Sequence, residues 1–327
     1  MTNQQNLTLE QVNAALKRKR TRAKVGKIMA MIFIYFVLFL MYAPLIYVSV
    51  YSFSTDAQEG GKIIFSLQNY IDLFRINFKN IGNIAYVHDY SDFQTYITKL
   101  FVNTEFAGKI WVAALNTVIV AVSAATISTI LGTLGAIGIY YTRKKWIKNT
   151  MDFVTQIPIV NAEIVTAVSL CVLFVIVAKL FGIQRNLLTL IIGHVVFSIP
   201  FVVLSVKPKL EQMDPSLYEA AMDLGATQTQ ALWKVTIPDI VPGILSGFLL
   251  SITLSLDDYV ITVFTKPTKG GFDTISTYVD SVTVKKGLPP QFRAFTAILF
   301  AVILIVMIVM NIYSAKKAKK ERLLKGD

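Results

Sequence analysis

The chain has 327 residues, of which 54% are hydrophobic and only 16% charged, against about 25% charged in an ordinary soluble domain. Its net charge of +12 comes from basic clusters beside apolar blocks, which fits anionic lipid headgroups and argues against nucleic acid as a partner. The single cysteine, Cys171, excludes an intrachain disulfide, and two histidines far apart, His88 and His194, give no metal-ligand spacing.

Residues 1–27 form a basic tail ending in LKRKRTRAKVGK, with a short interfacial helix expected around Leu9–Leu16. Ile28–Val50 then carries no charge, and roughly 18 such residues suffice to cross a bilayer as a helix. The run is too long for the apolar region of a signal peptide and no small-residue cleavage site follows. It reads as a retained first span, kinked by Pro44. The segment 56–109 comes next and is expected outside the cell. It is rich in aromatics, among them Phe65, Tyr70, Phe74, Phe93 and Phe106, and too long for a passive link. It either packs over the bundle or docks a partner.

Ile110–Thr142 is the second uncharged block and holds many small residues, including Ala121, Ala124, Ala125, Ser128, Gly132 and Gly135. Small residues let helices approach closely inside a bilayer, so this span is expected at the centre of the bundle. The third block, Phe153–Ala178, carries Pro158, Asn161 and Glu163. The fourth, Asn186–Val206, holds His194 and Pro200, with packing as the plainer role for that histidine. The fifth, Ile240–Thr265, has Pro242 and Gly243 near its start and Asp257 and Asp258 further on; Ala294–Ala315 is the sixth. The expectation is an all-α, polytopic membrane protein with six transmembrane helices across 28–316 and a second basic tail over 317–327. Interrupted helices at membrane depth usually line a cavity.

Most of the 32 basic residues lie in both tails, after the second block (Arg143, Lys144, Lys145, Lys148) and after the fourth (Lys207, Lys209, Lys234). The bias of Lys and Arg towards the cytoplasm therefore places both termini and the 207–239 loop inside the cell. That loop contains DPSLYEAAMDLGATQTQALWKVTIPD. Asp214 caps a helix with Pro215 at its first position, or else Ser216 and Glu219 form a capping box two residues on. Gly225 supplies a left-handed stop. Thr227 and Gln230 then cap a second helix, expected to run to Val235 before Pro238. A preformed polar corner of this kind loses little entropy on meeting a partner.

The same stretch resembles the EAA signature of ABC importer permeases: Glu-Ala-Ala, three residues, Gly, nine residues, then Ile-x-Leu-Pro. Glu219, Ala220, Ala221, Gly225 and Pro238 fall at that spacing, while Val235 and Ile237 replace the Ile and Leu. With YAPLIYVSVYSF, SLQNYIDLF and LSLDDYVITVF, the chain is similar over about residues 28–315 to spermidine/putrescine importer permeases of the PotC type. Its external loop is longer than that type would suggest. The resemblance implies the MetI-like type I permease fold and a bacterial inner (plasma) membrane location. It implies ATPase coupling through Glu219, Ala220, Ala221, Asp223, Leu224, Gly225 and Ala226. The implied partners are an ABC ATPase homodimer, a second homologous permease and an extracytoplasmic polyamine-binding protein, besides membrane lipid. The ATPase would hold ATP and magnesium, because this chain has no G-x-x-x-x-G-K-[ST] loop; Gly60-Gly61-Lys62 lacks the spacing. No nucleophile and base pair suggests an enzyme.

Glu163, Asp257 and Asp258 stand inside apolar blocks, where a carboxylate costs about 2.5–3.5 kcal/mol on insertion scales and needs a partner or a water-filled path. A series of carboxylates suits a flexible polycation, and Tyr259 and Tyr278 offer cation–π faces. The competing roles for the aspartates are capping a helix break or pairing with Lys179 or Lys266. Three other functions stay open: the same machine with another small solute, an ATP-independent transporter using the three carboxylates as a relay, or a membrane-bound enzyme.

Overall fold

In the computed structural model the described residues are 2–55, 64–77, 90–101, 104–182, 184–267, 272–286 and 291–302, with isolated positions 304, 305, 308 and 312. They are almost entirely helical and fall into two units: residues 1–75 with 288–327, and residues 76–287.

The first unit begins with α1 (Thr2–Tyr51), a single helix with Pro44 inside it. The short helix expected at Leu9–Leu16 is thus part of one rod that continues through the first span. After it, β1 (Ser54–Thr55) pairs antiparallel with β2 (Ile64–Phe65), and α2 (Gln68–Phe74) follows. The Asn69 amide donates to the carbonyls of Ser52 (3.0 Å) and Ser54 (2.9 Å), satisfying backbone groups where α1 ends. Phe53 stacks on Phe65 with centroids 5.4 Å apart and meets Tyr70 at 5.0 Å. This part of the 56–109 segment is folded by its own aromatics. The Arg293 guanidinium lies 4.4 Å from the Tyr51 ring centroid, in an apolar helix described over Gln291–Val302. Beyond Val302 the expected sixth span is described only at positions 304, 305, 308 and 312.

The second unit contains α3 (Tyr90–Leu100), α4 (Lys109–Tyr141), α5 (Lys145–Val160), α6 (Glu163–Phe181) and α7 (Leu187–Gln212). It continues with α8 (Pro215–Asp223), α9 (Gln228–Ala231), α10 (Ile237–Asp257), α11 (Val260–Thr265) and α12 (Ile275–Lys286). Its core is α4, α7 and α10. A Cβ on Gly132 would come 2.7 Å from Val202 Cβ, and one on Gly247 3.2 Å from Val202 Cγ1. Small residues thus set the approach of all three helices, as the composition of the second block foretold. Ser128 and Ser251, both fully buried, join α4 to α10 at 2.8 Å. Further along the same helices, Ala136, Ile137, Val202, Val206, Leu210 and Ile240 form a buried apolar cluster. Near the start of α4, Asn116 donates to the Asp273 carbonyl (2.8 Å) and accepts from Gln94 (3.0 Å).

Five helices among the described residues are long and apolar enough to cross a membrane: 24–51, 106–141, 163–181, 187–212 and 228–257. Two blocks and the exit of the polar corner differ from the sequence reading. The third is two helices, broken at Asn161 and Ala162, whose ψ values of 145° and 130° are extended. Pro158, which has no N–H for the Val154 carbonyl, lies inside α5 two residues before its end at Val160. The fifth is also two helices, with Asp258 extended between α10 and α11. Conversely, Pro238 does not stop the helix begun at Gln228. A π turn over Leu232–Thr236 leads straight into α10, and the Ile237 amide bonds the Leu232 carbonyl. This wider turn accommodates the proline's missing N–H.

Candidate functional site

Two clusters carry the chemistry singled out by the sequence. The first is the corner at α8 and α9. Asp214, rather than Ser216, is the cap: its carboxylate accepts from the Ser216 amide at 3.0 Å, with Pro215 opening the helix. That bond holds the Asp214 carboxyl below its ordinary range. At the other end Gly225 has φ +88°, the Ala226 amide bonds the Ala221 carbonyl (3.0 Å) and the Gly225 amide bonds Met222 (2.9 Å). This is the Schellman pattern, which needs a left-handed residue at Gly225. Thr227 and Gln230 form the expected capping box at 3.0 and 3.3 Å.

No residue of α8 is buried. Glu219, Ala220, Asp223, Leu224 and Gly225 are exposed, and Ala221 and Ala226 are half-buried. Leu224 is 90% exposed, and Leu217 and Trp233 are also open. The corner is thus ordered by its own caps and carries three open apolar side chains on a polar loop.

The second cluster surrounds the α10–α11 break. Asp258, 6% exposed, accepts from the Ile261 amide through Oδ1 (3.1 Å) and from the Thr262 amide (2.8 Å) and hydroxyl (2.9 Å) through Oδ2. It caps α11, the structural role weighed for it above. Because the Thr262 proton goes to Asp258, Thr262 Oγ1 accepts from His194 Nε2 at 3.0 Å. His194 Nδ1 then accepts from Ser255 at 2.8 Å. His194 Nε2 is also 3.5 Å from Asp258 Oδ2, and the ring is 1% exposed. The ring is therefore held by both helices flanking the break.

Glu163, the first residue of α6, brings its carboxyl within hydrogen-bonding reach of Asp258. Asp257 is exposed. Tyr259, 38% exposed, has Asp280 of α12 as a charged neighbour. Glu163, Asp257, Asp258 and Tyr259 are thus brought together. Tyr278 is instead buried against Phe106, and Lys266 pairs with Asp273 at 2.8 Å rather than with the aspartate pair. The sequence reading missed Ser255, Thr262 and Asp280. Thr262 was the legible one, since it stands four residues after Asp258, one helical turn on. The other end of α11 is held as well: Arg185 donates to the Phe264 carbonyl (3.0 Å) and Thr189 to that of Thr265 (3.2 Å).

Residues 128–319 match the family described as binding-protein-dependent transport system inner membrane component. The chain is 36% identical over 186 residues to the putrescine transport system permease protein PotI of Escherichia coli strain K12, spanning 56% of this chain and 65% of that one. It is 35% identical over 192 residues to the spermidine/putrescine transport system permease protein PotC of Haemophilus influenzae, spanning 59% and 72%. A chain of a bacterial ABC transporter that imports the acidic polysaccharide alginate superposes with a TM-score of 0.55 at 15% identity, over 89% of this chain and 96% of that one. With helices, corner and family match in agreement, the chain belongs to the binding-protein-dependent transport system inner membrane components.

Proposed function

We propose that the chain is the membrane-spanning permease subunit of an ATP-driven importer of polyamines such as spermidine and putrescine, forming half of the translocation path. The observation that carries this reading is the corner at 214–226, capped at both ends and exposing Leu217 and Leu224. A separate ABC ATPase, acting as a homodimer and holding ATP and magnesium, docks there against Glu219, Ala220, Ala221, Asp223, Leu224, Gly225 and Ala226. A second homologous permease completes the path, and an extracytoplasmic binding protein delivers the cargo. Both termini lie in the cytoplasm, and the basic clusters meet anionic lipid.

Cargo selection falls to Glu163, Asp257 and Tyr259, gathered about the helix break that Asp258 caps. The names of the relatives, both concerned with putrescine or spermidine, support a polycation, and so do four carboxyls (with Asp280) around one helix break. Asp258 is committed to capping, which leaves Glu163 and Asp257 to exchange ammonium groups with the moving cargo. The test is ATP hydrolysis by the assembled transporter, stimulated by binding protein loaded with putrescine or spermidine. Glu163→Gln and Asp257→Asn are expected to cut that stimulation about tenfold each, the effect of losing one charge-assisted contact. Stimulation untouched in both variants would remove these carboxylates from the path. Stimulation by another solute alone would remove the polyamine.

A further inference from the structure

At the cytoplasmic end of the second unit, four helices meet through one pair of adjacent tyrosines. Tyr141 ends α4, and its ring lies 5.4 Å from that of Tyr218 on α8, tilted by 45°. Its hydroxyl is 3.2 Å from Thr236 Oγ1, and Thr236 is fully buried at the head of α10. Tyr140 stands edge-on to Tyr141 with centroids 5.1 Å apart, and Lys148 of α5 lies 5.5 Å from the Tyr140 centroid. Among the described residues, Tyr218 is the only side chain of α8 with a hydrogen bond, ion pair or ring contact to a helix of the bundle.

A helix with no buried residue has little grip on the bundle. A push on it reaches α7 and α10 along the backbone on either side but reaches α4 sideways, through the contacts it makes, and coupling needs such contacts between elements with two arrangements. We propose that the Tyr218–Tyr141 ring contact carries displacement of the α8 corner into α4, and through the Tyr141–Thr236 bond into α10. Tyr141 is then a positioning residue for transport. The π turn at Leu232–Thr236 sits beside this node, and such turns occur frequently where helices must adjust. The inference rests on the permease reading above.

The experiment uses the assembled transporter, purified through a tag on this chain and reconstituted in liposomes. Labelled putrescine or spermidine uptake and ATP hydrolysis are measured on the same sample. Tyr218→Ala and Tyr141→Ala are expected to keep hydrolysis within about twofold of wild type while cargo imported per ATP falls about tenfold, a typical coupling. Tyr218→Phe keeps the ring and is expected to restore the ratio, and Tyr141→Phe, which loses only the Thr236 bond, to fall between. Tyr218→Leu, which keeps bulk without an aromatic face, serves where the alanine variants fail to assemble and is expected to show the same loss. An unchanged ratio in Tyr218→Ala or Tyr218→Leu overturns the inference, as does a Tyr218→Phe variant as uncoupled as alanine. Wild type is scored first: absence of ATP-driven uptake there overturns the permease reading itself, a result distinct from a variant with an intact ratio.

Discussion

Asp257 and Asp258 are neighbours in sequence and opposites in role. Asp258 closes the buried first turn of α11 and is held by two amides and a hydroxyl, whereas Asp257 is exposed. Asp258→Ala leaves those donors buried without an acceptor, a loss of about 1–3 kcal/mol. It should lower the thermal unfolding midpoint of the detergent-purified protein. Asp258→Asn keeps one carbonyl acceptor and should cost less, and Asp257→Asn should stay within about 0.5 kcal/mol of wild type. Equal midpoints for Asp258→Ala and Asp257→Asn would contradict this division. Asp214 offers a pH readout. Its carboxyl is held below its ordinary value of 3.8 in the folded chain by the Ser216 amide, so its support for α8 is fully present above that value and is lost as pH falls through the lower folded one. Hydrogen exchange over 214–224, corrected for intrinsic rates, should show wild type better protected than Asp214→Ala at pH 7. The two should converge at acid pH; a difference that persists unchanged would contradict the cap. That Glu163, Asp257 and Asp258 are set apart from their surroundings was legible, because charge inside apolar blocks stands out. Their division of labour was not, since it depends on His194, Ser255 and Thr262 arriving from other turns and another helix.

Helix ends were the most readable elements and helix continuity the least. The Asp214–Pro215 start, the Gly225 stop and the Thr227–Gln230 box all follow from local side-chain chemistry, and all three are present. The corner's exit was misjudged because a proline was read as a terminator, whereas the helix widens into a π turn and continues. The breaks at Asn161–Ala162 and at Asp258 lie inside apolar blocks, where hydropathy is blind to backbone hydrogen bonding. Gly225→Ala places a side chain at φ +88° and should cost the corner about 1–2 kcal/mol. Limited proteolysis between α8 and α9 should then speed up several-fold relative to wild type. A cleavage rate equal to wild type would mean that the Schellman stop does not hold the corner.

Over the chain as a whole, blocked hydropathy announced a polytopic helical protein, and small residues in the second block announced its central helix. Five of the expected spans have counterparts among the described helices. The folding of the segment before α4 was less legible, since its hairpin and α2 are joined by aromatic contacts between residues distant in sequence, such as Phe53 with Tyr70. The polar corner and the carboxylate break lie on a single unit, so the proposed function puts its motor contact and its cation path on one body. The most direct test is uptake of labelled putrescine or spermidine into liposomes holding the assembled transporter, with ATP supplied on the side of the α8 corner and loaded binding protein on the other. The account predicts accumulation that needs hydrolysable ATP and is competed by unlabelled polyamine but not by a neutral amino acid or a sugar. Accumulation driven by a proton gradient without ATP, or indifferent to polyamine, would contradict it.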